Sequence, residues 1–217
     1  MMKIDIRLNK MNMRNLILVF FLSTSLLAEG QNIGDLFKAM PAALLPGVSE
    51  GNKTMLLVDS GETSIPYVLG EIKKLKQSND YLEIKTSDIG TTQLKLLPLD
   101  NDSSIVCVIK TVCANACDSH ISFYTTKWKK IEESDFLPEI SKEIFFDSSK
   151  KEMENYKYAV SLHHIYPISA VFSESGSDLT LTFNYKPLLT DDQIAEIKPF
   201  LKSDTVTLRW EDASFKE

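Results

Sequence analysis

The stretch SSIVCVIKTVCANACDSHISFYTTKW, residues 103–128, decides how the rest of the chain is read. Its first half, ending at Cys113, is apolar on both alternating faces, as a strand at the centre of a sheet must be. Its second half alternates, with Ile121 and Phe123 turned one way and His120, Tyr124 and Trp128 the other. Ala114, Asn115 and Ala116 between the halves can reverse the chain, so the whole stretch reads as a β-hairpin.

Working outward, the same period of two continues upstream. YLEIKTS buries Leu82 and Ile84, and TTQLKLLPLD buries Leu94 and Leu96 before Pro98. The links SDIG and LDNDSS carry turn residues. Together these segments predict an antiparallel meander of four strands between Tyr81 and Ile131.

The flanks are expected to be mixed. NIGDLFKAM places Ile33, Phe37 and Met40 at helical spacing, and PAALLPGVSEG is a short helix or turn. TMLLVDS is a brief apolar run, strand or buried helix, which periodicity does not separate. SIPYVLGEIKKLKQSN, residues 64–79, reads as a helix capped by Ser64, with Val68, Ile72 and Leu75 on one face. SDFLPEISKEIFFD, residues 134–147, reads as another through Phe136, Ile140 and Ile144, and YAVSLHHIYPISAVF as one long strand, bent or broken at Pro167. LTLTFNY and TVTLRWE alternate as strands. Between them TDDQIAEIKPFLK is a helix with a capping box formed by Thr190 and Gln193. Helices then strands, twice over and without βαβ alternation, predict a single compact α+β fold: an antiparallel sheet covered by helices, with two sub-layers at 31–131 and 132–217 as the alternative.

The amino terminus reads as an address. Lys3, Arg7, Lys10 and Arg14 precede the apolar run LILVFFLSTSLLA and a small-residue exit, the pattern of a secretory signal peptide over residues 1–30. The run is short for a bilayer span, which takes about 20 residues. Removal leaves 187 residues, 31–217, read as one compact domain, and moves the formal net charge from −6 to −8. No later run reaches spanning length, so no membrane span is expected in the mature chain. Arg209 is the one arginine left. Nucleic-acid binding leans on arginine forks and a basic face, and is not expected.

Several residues invite chemistry. Cys113 and Cys117 are close enough across the turn for a disulfide, with Cys107 buried and free; two unbridged thiols are the alternative. Three residues separate the pair in a strand context, unlike the C-x-x-C of redox catalysts. One cysteine pair plus His120 falls short of a zinc site, and no cofactor motif is present. Asp118, Ser119 and His120 are consecutive, and consecutive strand residues face opposite ways, which argues against a converging triad. His163 and His164 face apart for the same reason. The clusters Asp100/Asp102 and Asp191/Asp192 lack a calcium-loop frame. His120, Tyr124 and Trp128 share a face. If that face is solvated they form a contact stripe for protein or glycan, and if a helix covers it the aromatics are core.

Four segments in order, DLFKAMPAALLP, LKLLPL, IKTVC followed by DSHISFYTTKW, and a closing helix leading to TLRW, resemble the Bacteroidales domain-of-unknown-function family numbered 3256, from about Asp35 to Trp210. The resemblance implies a secreted, envelope-associated protein and brings no activity, cofactor or catalytic residue. The resulting expectation is a non-enzymatic periplasmic or surface-associated module binding protein or glycan. The alternatives are a hydrolase whose site is assembled from distant residues, and a structural subunit of an envelope complex.

Overall fold

The two-residue rhythm begins earlier than the sequence suggests. The computed structural model describes residues 32–59, 61–68, 70–101, 103–162, 166–173 and 176–217. In it, the segment expected as a helix over 64–79 is instead a hairpin, β1 (Thr63–Tyr67) paired with β2 (Gly70–Gln77). Gly70 sits at φ +113°, a backbone conformation that side chains disfavour, and ends any helix there. Ile65 and Ile72 face each other across the hairpin, both buried, while Val68 at the tip is 89% exposed.

The chain then zigzags through β3 (Tyr81–Lys85), β4 (Gly90–Pro98), β5 (Ser104–Cys113), β6 (Cys117–Thr125) and the short β7 (Lys130–Ile131). All seven strands are antiparallel and lie in chain order. The expected meander is therefore present and is extended at both ends.

Each face of this sheet buries a different core. On one side Leu82, Ile84, Leu94, Val106, Val108 and Tyr124 pack beneath α1 (Ile33–Lys38) and α2 (Glu50–Leu56), which contribute Ile33, Leu36, Phe37 and Leu56. Asn32 and Ser49 cap these helices through their side chains. TMLLV is thus neither strand nor buried helix: Thr54–Leu56 end a surface helix that buries Leu56 and leaves Met55 exposed, and Val58 beyond it is exposed too. Lys53 is buried and donates to the carbonyls of Lys38 and Met40, just past the end of α1. Burial holds its ammonium below the usual lysine range.

On the other side Leu97, Ile105, Cys107, Ile109, Ile121 and Phe123 meet a second sheet. It comprises β8 (Ile168–Phe172), β9 (Leu179–Phe183), β10 (Thr205–Glu211) and β11 (Ser214–Lys216), antiparallel in the order β11-β10-β9-β8. β5 is apolar on both faces because it lies between two cores. Asn32–Glu217 forms one unit.

Two further expectations fail at prolines. The segment 158–172 is not one strand: Tyr156–Ser161 is a helix, α3, and β8 starts only after Pro167. The expected helix over 134–147 is two 3-10 turns, Glu133–Asp135 and Lys142–Phe145, separated by an irregular strap containing Pro138. A proline inside a helix removes a hydrogen bond and clashes with the preceding turn. α4 (Asp191–Ile197) carries both halves of the capping box at Thr190 and Gln193, and continues into a 3-10 turn at Pro199. The leader, the His163–His164 pair and Asp102 lie outside the described residues. No helix among the described residues is long and apolar enough to cross a membrane.

Candidate functional site

β8 is an edge strand, and its outer edge is closed by side chains of the larger sheet. Three alternate N–H groups point outward there. Ile168 donates to Asp118 Oδ1 at 3.0 Å, Ala170 to Ser119 Oγ at 2.9 Å and Phe172 to Gln93 Oε1 at 3.1 Å. Asn184 completes the joint, donating from Nδ2 to the Cys117 carbonyl at 2.7 Å and to Ser169 Oγ at 2.8 Å. An unpaired edge is a liability that folds manage by covering, and here polar residues of β4 and β6 cover it.

Beside this joint β6 has an edge left open among the described residues. β7 pairs with it only at Phe123 and Tyr124. Thr125 N–H bonds Lys129 on the β7 side, and the Cys117 carbonyl bonds Asn184. Backbone groups alternate in direction along an antiparallel strand, so Ser119 and Ile121 present their N–H and C=O to that same open side.

A cavity of about 500 Å³ occupies the space there. Ile121, Leu137, Ile140, Ile168, Ala170 and Leu181 form its apolar lining, and Asp118, His120, Glu133, Glu139 and Tyr166 its polar rim. Glu133 is paired with Lys130 at 3.5 Å, and the Lys142 ammonium lies 4.8 Å from the centre of the Tyr166 ring. Asp118 and Glu139 have no cationic partner among the described residues. The rim is therefore net acidic.

Asp118, Ser119 and His120, expected to be scattered by strand alternation, all border this one cavity. The cavity wraps the strand edge, so residues on both faces reach it. They nevertheless do not form a relay. Asp118 and Ser119 accept from the β8 backbone, Ser119 Oγ also lies 2.7 Å from Thr111 Oγ1, and His120 Nε2 is 3.0 Å from Ser122 Oγ, two residues further along its own face.

The other two members of the expected contact stripe are not at the surface. Tyr124 is buried, and Trp128 is half-buried with its ring 5.6 Å from that of Tyr124. Trp128 Nε1 donates to the Leu36 carbonyl at 3.0 Å. Helix α1 covers this face, so of the two alternatives the sequence left open it is the covered one that the structure shows: both aromatics pack on the core, and His120 alone stays exposed. Cys113 and Cys117 are joined by a disulfide across the hairpin turn, and Cys107 is a buried free thiol. Among the described residues no group of three or more His, Cys, Asp or Glu is placed to hold a metal ion.

Sequence reading missed Leu137, Ile140 and Tyr166 as cavity residues because it placed them in a helix and a strand. Pro138 is the signal that marks the strap; Pro167 already reads as a bend or break, and Tyr166 lies just before it.

A solved domain of an uncharacterized protein from Porphyromonas gingivalis W83 shares the fold, with a TM-score of 0.74 at 24% identity over 85% of this chain and 96% of that one. No curated protein matches the chain. The model of a family described as protein of unknown function, DUF3256, matches residues 25–215, and the chain therefore belongs to that family.

Proposed function

We propose that this protein is an exported, non-enzymatic module that binds an extended segment of a partner protein at the open edge of β6. The observation that carries this reading is the coincidence, among the described residues, of an unpaired strand edge, a cavity with an aliphatic patch, and an acidic rim in one place. A peptide adding to a strand edge gains main-chain hydrogen bonds, and pockets beside the edge select its side chains. The rim favours a segment carrying Lys or Arg. Protein is preferred to glycan because Tyr124 and Trp128 are not available for sugar stacking, leaving Tyr166 as the one aromatic of the cavity. Binding is preferred to hydrolysis because Ser119 and His120 are engaged with different partners. Export to the periplasm or cell surface is supported by the basic, apolar and small-residue pattern of residues 1–30.

The test is fluorescence anisotropy with a labelled pentapeptide, Ac-Lys-Val-Leu-Val-Lys-NH2. Glu139 is exposed, so Glu139→Lys should leave the fold intact and weaken binding about three- to tenfold at low salt. Binding of maltohexaose in place of the peptide, or labelling of Ser119 by a fluorophosphonate, would overturn the reading.

A further inference from the structure

We infer that the cavity is one chamber of a channel, and that its ligand is a longer peptide with two aliphatic anchors, passing beneath the strap Leu137–Ser141. This rests on the reading of the first cavity as a peptide site. A second cavity of about 270 Å³ lies across the strap, lined by Ile144, Leu208, Phe215, Lys216 and Glu217. Pro138, Glu139 and Ile140 border both.

The two cavities share a floor. Ile168, Ala170 and Leu181 underlie the first, and Leu208 and Phe215 the second, and all of them belong to the apolar inner face of the four-stranded sheet. Leu181 pairs with Val206, two residues before Leu208 on β10, so the floor runs without a polar break from one chamber towards the other.

The strap is fixed by rings and hydrogen bonds at its ends, and between them by side-chain packing alone, Leu137 and Ile140 resting against the core. At one end the Phe136 ring lies 5.2 Å from Phe123 and 6.2 Å from Trp210, and the Phe136 carbonyl accepts from Phe215 N–H at 2.8 Å. At the other end Phe145 is fully buried. Pro138 has no N–H to give, and no backbone–backbone hydrogen bond holds Pro138, Glu139 or Ile140 among the described residues. The middle of the strap can lift without breaking a ladder. That permits an extended chain to lie on the apolar floor under it.

Charge sets the direction. The first mouth carries Asp118 and Glu139, which have no cationic partner among the described residues. At the second, Lys216 is paired with Asp212 at 2.6 Å and Glu217 with Lys202. The basic end of the ligand sits at the first mouth, and an aliphatic side chain further along fills the second chamber.

The experiment compares the pentapeptide with Ac-Lys-Val-Leu-Val-Lys-Ser-Leu-Val-Ser-NH2, using methyl-labelled protein. The nonapeptide should bind about tenfold tighter or more, since it buries a second aliphatic side chain. It should shift the methyl signals of Ile144 and Leu208, which the pentapeptide leaves in place. Ile144→Trp, filling the second chamber, should erase the gain and leave pentapeptide affinity unchanged. Equal affinities with Ile144 and Leu208 unmoved overturn the channel but leave the first site standing. Binding of neither peptide overturns both. Should Ile144→Trp fail to fold, the wild-type methyl shifts decide alone.

Discussion

Ser119 Oγ accepts a hydrogen bond from the backbone N–H of Ala170 at 2.9 Å, tying the face of the larger sheet to the edge of the smaller one. The serine that most resembles a nucleophile in this sequence is thus a structural acceptor. Removing it leaves a part-buried amide without a partner. Ser119→Ala should cost about 1–3 kcal/mol in urea denaturation, the range for an orphaned donor. Unchanged stability would show that the joint between the sheets is made elsewhere.

The cysteines make a separate prediction. Burial pushes the Cys107 thiol well above its ordinary range, which keeps it protonated and inert while folded. Ellman's reagent should find no accessible thiol in the native protein, one after unfolding, and three after unfolding with reduction. Three thiols without reduction would remove the bridge.

Trp128 should behave as a core residue. It sits at φ +61°, held by its own N–H bond to the Thr125 carbonyl at 2.8 Å and by the indole bond to Leu36. Trp128→Ala should destabilise by about 2–4 kcal/mol through lost packing, and should speed amide exchange throughout α1. A fully stable variant with altered surface binding would restore the stripe that burial now rules out.

Tyr185 gives the pH dependence a sign. Burial, followed by the neighbouring Asp204 carboxylate that accepts its hydroxyl at 3.1 Å, raises its pKa to about 12. The unfolded chain loses this proton near pH 10, whereas the folded chain keeps it. Stability contributed by the group is therefore intact below pH 10 and is lost as pH rises towards 12. Tyr185→Phe should flatten that part of the stability–pH curve, measured by denaturation at stepped pH. A variant with the same alkaline slope as wild type would contradict the assignment.

What was legible in the sequence follows the strength of the local signal. The Ser104–Thr125 hairpin was readable because its alternation and its turn agree, and α4 because Thr190 and Gln193 mark its start. The first hairpin was not, since Val68, Ile72 and Leu75 fit a helical face by spacing, and only the tertiary pairing of Ile65 with Ile72 decides for strand. The strap shows the same conflict in reverse. Phe136, Ile140 and Ile144 have helical spacing, but Pro138 and the separate anchoring of Phe136 and Phe145 hold the chain open. The cavity was invisible for that reason: one of its walls, Leu137–Ile140, is a segment whose secondary structure was misread, and its edge is defined by where β7 stops pairing.

The most direct measurement is an amide chemical-shift map of the wild-type protein titrated with the lysine-flanked pentapeptide. The account predicts that Asp118–Ile121 and Leu137–Ile140 move together, with Ser119 and Ile121 N–H shifting downfield as they acquire main-chain partners. A map in which these amides stay still while the outer threonines of the four-stranded sheet respond, or in which nothing responds, would contradict it.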